Sequence, residues 1–165
     1  MKRTLLTLLV VAGLVLLSRY TYLLPFHIAA VFATVFMVVV ADVHAGLWVI
    51  GKIKLLPKWR MEKLHQIVSL GLLAIVVTGV LMFWPVQGFL LYESSFQVKV
   101  LFVLALIVNS LVIARHMGVA SAREFAELSL RERWPLLFSG AVSTLSWVGA
   151  FIAAQFLPLW YTLCT

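Results

Sequence analysis

From His27 to His44 the chain reads HIAAVFATVFMVVVADVH, with Asp42 the one ionisable residue between the two histidines. Apolar runs of similar length recur along the chain, separated by clusters of charge. Such runs restrict the fold to membrane-spanning helices, because only a helix or a closed barrel satisfies its own backbone groups where water is absent. Of the 165 residues, 64% are hydrophobic and 12% are charged. That composition leaves no room for a soluble domain.

The ionisable residues divide the chain into five spans: about Thr4 to Ser18, Pro25 to Ile50, Leu64 to Pro85, Gln97 to Ala114 and Pro135 to Trp160. The first has the basic start and short apolar core of a signal peptide. VLLSRYTY offers no small-residue cleavage site, however, so residues 1–22 are expected to form an uncleaved signal-anchor helix. Residues 23–165 then form a four-helix membrane core. Eleven of the thirteen basic residues fall at one end of the spans, with Arg19 and Lys99 at the other. The positive-inside rule accordingly predicts a cytoplasmic amino terminus and an external carboxyl terminus. The net charge of +7 lies in short loops beside the membrane. It is therefore read as attraction to anionic headgroups of the lipid bilayer, and no nucleic-acid partner is expected. In the longest loop, GVASAREFAELSLRERW, Ser121 and Glu124 have capping-box spacing and predict a short amphipathic helix near 121–133. The single cysteine, Cys164, excludes a disulfide framework, a CxxC pair and covalent haem attachment within the chain.

No Walker A loop, GxGxxG, HExxH or GxSxG motif occurs. Chemistry must come from polar residues within or beside the spans, which are costly there and so are suspected of function. On a repeat of 3.5 residues, His27, Ala30, Thr34, Met37, Ala41, His44 and Trp48 share one inward seam. The two histidines stand roughly 25 Å apart along the helix axis. Lys99 should match His27 in depth, while His44, His65 and His116 fall toward the opposite side of the membrane. Two facing imidazoles are how membrane b-type haems are held. Gly71, Gly79, Ser139, Gly140, Ser143, Ser146, Gly149 and Ala150 would leave room for the macrocycle.

Each of these residues has a plainer alternative. Lys99 and His116 can snorkel to the interface, and His65 can be one more interfacial cation. His27 and His44 can be core histidines bonded to a neighbouring hydroxyl or carbonyl. Asp42 is expected to bond to His65 on the next span. Asn109 and Ser110 are expected to act as interhelical glue, and Met37 and Met82 as core rather than copper ligands.

The stretch from about Tyr22 to Ala154 also carries three distinctive features: His27 at a span start, TGVLM from Thr78 to Met82, and GFLLYESSFQVK from Gly88 to Lys99. With Trp134 and Pro135 at the start of the last span, these make the chain resemble a small membrane superfamily. It includes the haem-associated, flavin-independent protoporphyrinogen oxidases, the copper-resistance D proteins and related bacterial membrane families. The chain departs from the oxidases in its additional amino-terminal span and in having Arg133 two residues before Pro135, with the acidic Glu132 three before. The resemblance implies haem b, with His27 and Lys99 at the positions characteristic of the oxidases, and tetrapyrrole oxidation coupled to a respiratory chain.

The resulting expectation is an all-α, multi-pass protein of the bacterial inner (cytoplasmic) membrane, acting as a haem b redox or electron-transfer protein. His27 and His44 are the expected iron ligands. His65 and His116 would ligate or move protons, and Lys99 would face a propionate or a substrate carboxylate. Quinone or a respiratory-chain protein would be the partner, and an oligomer is possible. The alternatives are copper or proton transport, and a non-catalytic subunit of a larger respiratory complex.

Overall fold

The computed structural model describes residues 20–84 and 87–157. The expected first span, residues 4–18, lies outside them. The described residues form helices α1 (Tyr20–Val49), α2 (Lys58–Phe83), α3 (Gln87–Leu90), α4 (Ser94–Ala122) and α5 (Leu130–Gln155), with a 3-10 turn at Phe125–Glu127. No strand occurs among them. Four of these helices, in windows of mean hydropathy 1.7 to 2.4, are long and apolar enough to cross a membrane. Between 11 and 28% of each window is buried within the bundle. Most of the apolar surface therefore faces outward, an arrangement suited to lipid and not to water.

The helices run past the limits set by apolarity alone. α5 begins ahead of Pro135 because Ser129 starts it with a capping box: its N–H and its hydroxyl both donate to Glu132 Oε2 at 2.9 Å. α4 continues through Arg115 and His116 to Ala122, so Ser121 lies inside that helix, with its hydroxyl donating to Gly118 O at 3.1 Å. The amphipathic helix expected near 121–133 is replaced by the end of α4, the 3-10 turn and the start of α5. Glu124 caps the 3-10 turn by pairing with Glu127 instead of with Ser121.

Two antiparallel hairpins make up the bundle. α1 packs along α2, α4 packs along α5, and the hairpins meet chiefly through α2 and α4. In the first hairpin Thr34 stands directly over Gly71, whose missing side chain allows the approach. The expected seam of α1 is the buried one: His27, Thr34 and Trp48 are buried, Trp48 against Phe125, and Ala30, Met37, Ala41 and His44 are partly buried. Asp42 lies off the seam on an exposed face. Among the described residues it makes no hydrogen bond to His65, so that expected pair does not form. In the second hairpin Ser139, Ser143, Ser146, Ala150 and Ala153 are buried on α5. Asn109 Nδ2 donates to Ser139 O at 2.9 Å, and Asn109 Oδ1 accepts from Ser139 Oγ at 2.8 Å. This reciprocal pair is the expected interhelical glue, worth about 0.6 kcal/mol per bond by analogy with other membrane bundles. Between the hairpins, Ser69 and Ser110 hydroxyls meet at 3.3 Å, and the rings of Phe83 and Phe96 stack at 5.0 Å.

α1 ends in a Schellman motif. Gly51, at φ 75°, lets its own N–H bond to Trp48 O at 3.1 Å and the N–H of Lys52 to Leu47 O at 2.9 Å. A side chain at this φ meets the following carbonyl, so Gly51→Ala is expected to cost roughly 1 to 2 kcal/mol. A lowered unfolding midpoint in detergent titration would show it. An unchanged midpoint would mean that the loop refolds around another cap.

Candidate functional site

The end of the bundle carrying Lys52, Lys54, Lys58, Arg60, Lys63, Arg115, Arg123, Arg131 and Arg133 is the basic end. His27 and Lys99 belong to the opposite end. His27 is buried, 9% exposed, one helical turn beyond Leu23 on α1. Its Nδ1 lies 2.7 Å from Thr78 Oγ1 on α2. The single Thr78 hydroxyl proton is directed at Ala74 O, 2.7 Å away, with Ile75 O at 3.1 Å. Thr78 therefore accepts, and His27 Nδ1–H donates. This chain fixes the tautomer of the neutral imidazole, with the lone pair on Nε2. Gly79, the next residue, lies against the ring: a Cβ there would stand 3.6 Å from His27 Cε1, an ordinary van der Waals contact. Lys99 on α4 is partly buried and near enough to His27 for the two side chains to interact electrostatically. Among the described residues it forms no ion pair. Among the described residues, His27 and Lys99 thus share this end of the bundle with no ion pair to either.

The other histidines lie toward the basic end. His44 Nδ1–H donates to Val40 O at 2.7 Å, and His116 Nδ1–H donates to Val112 O at 2.9 Å. Each bond runs back one turn of the histidine's own helix. Each leaves Nε2 available in the neutral ring, as an oriented metal-binding imidazole requires. His27 and His44 thus meet the plainer expectation of a hydroxyl or carbonyl partner through Nδ1 while keeping Nε2 for another use. His65, partly buried on α2, has no hydrogen bond among the described residues. His44, His65 and His116 share an end of the bundle by chain position. Among the described residues, however, no three His, Cys, Asp or Glu side chains converge closely enough to hold a metal ion.

Much of the expected room for a macrocycle is already used. Ser139, Ser143, Ser146 and Ala150 are buried on α5, Gly149 lies under the Phe102 ring, and Gly71 lies under Thr34. Gly79 and Gly140 remain without such crowding. α1 and α5 have no extensive contact with each other.

Thr78 is the one site residue that residue-type reasoning passed over as a partner. Its signal was a hydroxyl placed inside an apolar span. No family model matches this chain, nor does any curated protein or solved structure.

Proposed function

We propose that the chain is an integral membrane redox protein that holds haem b, with His27 as the foremost axial ligand. The supporting observation is the bond chain from His27 Nδ1 through Thr78 to Ala74, which orients a buried imidazole and leaves Nε2 free. Carbonyl bonds on Nδ1 of His44 and His116 make these the candidates for further ligation. Lys99 complements a propionate or a substrate carboxylate by charge, and His65 is left as a proton carrier. Bound haem would supply one-electron transfer. The protein would orient the imidazoles, exclude water with its apolar spans and neutralise carboxylate charge.

The donor set fits haem better than a bare copper ion. A copper site needs several nitrogen or sulfur ligands converging on one point, and no such group of His, Cys, Asp or Glu exists among the described residues. Haem brings four nitrogens of its own and asks the protein for one or two. An amino terminus inside is the orientation that the charge asymmetry favours, and bacterial inner-membrane placement goes with the resemblance. A protoporphyrinogen-like substrate and a quinone or respiratory-chain partner follow from the resemblance alone.

Purification in mild detergent from haem-replete cells, followed by reduced-minus-oxidised absorption spectra and haem quantitation, tests the reading. Sharp b-type bands at a fixed haem-to-protein ratio are expected. A folded, colourless protein would sink it and bring forward transport or a structural role in a larger complex.

A further inference from the structure

At the basic end, a cavity of about 360 Å³ opens between the end of α1 and the turn that precedes α5. It is lined by Trp48, Gly51, Glu124, Phe125 and Arg133, among others. Its wall is stiff. Trp48 is 2% exposed, and its indole N–H donates to Arg123 O at 3.2 Å. Phe125 meets the Trp48 ring edge-on, with centroids 5.1 Å apart. The Arg133 guanidinium lies over Phe125, 5.1 Å from the ring centroid, and one of its terminal nitrogens, Nη2, donates to Ala126 O at 2.6 Å.

Arg133 is held but not satisfied. Its Nε is buried and has no hydrogen-bond partner among the described residues. Buried donors of a charged group are seldom left in this state unless something outside the chain completes them. The nearby carboxylates do not serve. Glu124 is paired with Lys54 at 3.6 Å, and Glu132 is engaged by Arg123 and Ser129. A planar guanidinium that retains unused donors matches the oxygens of a phosphate group. The cavity also lies where the apolar spans α1 and α5 end, at the depth of lipid headgroups if the spans cross a membrane.

We infer that this cavity binds a phosphate group through Arg133, with the phosphodiester of an anionic lipid as its source. The site is separate from the His27 end and does not depend on the haem reading.

The test measures saturable lipid binding by native mass spectrometry of the full chain in detergent, with phosphatidylglycerol and phosphatidylcholine as probes. Arg133→Gln is compared with Arg131→Gln, which removes the same charge from an exposed neighbour. Arg133→Lys serves if the glutamine variant does not fold, because lysine keeps the charge and loses the planar fork. Wild type is expected to retain one phosphatidylglycerol in preference to phosphatidylcholine. Arg133→Gln should weaken this binding about tenfold or more, and Arg131→Gln should leave it within about twofold. Unchanged haem content in Arg133→Gln would separate this result from any failure of the haem reading. A parallel titration with inorganic phosphate distinguishes the source: competition at millimolar concentration would assign the site to a free phosphate and overturn the lipid assignment. Equal losses in the two glutamine variants, or no saturable binding, would reduce the observation to general charge attraction and overturn the site itself.

Discussion

His27→Ala is expected to lower haem retained per protein at least tenfold, while the chain still inserts and elutes as a single species. The imidazole gives one hydrogen bond to Thr78, and that hydroxyl already has its own proton on Ala74 O. Removing the ring therefore costs little structure. The Thr78 hydroxyl keeps its bond to the carbonyl, and the vacated volume adjoins Gly79, where little else crowds the backbone. If His27 only filled the core, the alanine variant would lose a modest amount of stability and no cofactor. Thr78→Val sharpens the distinction. It leaves the ring in place but removes the acceptor that sets its tautomer and orientation, and loss of such an outer partner typically weakens metal binding 10 to 100-fold. Thr78→Ser should restore the acceptor and the binding. His44→Ala, measured in the same way, reports whether haem is also held toward the basic end, since His44 stands roughly 25 Å from His27 and cannot share its iron. Full haem occupancy in both alanine variants would refute the assignment.

How far the sequence foretold these features depends on the kind of signal each one carries. In a soluble helix, the core face and the outer face differ in polarity. In a membrane helix both are apolar, and hydropathy locates the span without orienting it. Small and weakly polar residues then become the markers of orientation. Spacing alone placed His27, Thr34 and Trp48 on one seam, and all three are buried there. Asn109 likewise announced an interhelical contact, which it makes with Ser139.

The same markers misled where two uses compete for them. Ser139, Ser143 and Ser146 read as space for a cofactor, yet they are consumed by the close approach of α4 and α5. The expected bond from Asp42 to His65 rests on the adjacency of the two spans. Adjacency does not give rotation, and Asp42 is exposed, off the buried seam of its helix. The 121–133 segment failed for a different reason. Its Ser and Glu spacing permitted a cap at Ser121, but continuation of α4 past Arg115 absorbed that serine, and the caps formed at Glu124 and Ser129 instead. Thr78 was unreadable as a partner of His27 without the rotation of both helices. The Arg133 cavity depends on how the loop after α4 folds against Trp48, a contact between residues far apart in the chain.

Gly71→Leu is expected to open the α1–α2 hairpin, with a loss of stability of about 1 to 3 kcal/mol or somewhat more. Even the first added carbon meets Thr34, at its hydroxyl, its methyl and its Cβ. Thr34 cannot readily turn aside. It is 3% exposed, its branched Cβ restricts χ1, and its hydroxyl already donates to Ala30 O at 2.6 Å. The helices must separate, and the separation must travel along both. His27 lies two turns from Thr34 on α1, and Thr78 lies two turns from Gly71 on α2. Parting the contact at Gly71 therefore lengthens the His27–Thr78 bond, so haem retention should fall together with stability. Gly71→Ala should have a smaller net effect, because alanine regains up to about 1 kcal/mol of helix propensity against the clash. Thr34→Ala should relieve Gly71→Ala selectively, so that the double variant approaches wild type in both unfolding midpoint and haem content. If the two substitutions are simply additive, Thr34 and Gly71 do not form the close contact that sets the hairpin. If stability falls in Gly71→Leu while haem is fully retained, cofactor binding is independent of the α1–α2 spacing, and the His27–Thr78 pair cannot be what orients the ligand.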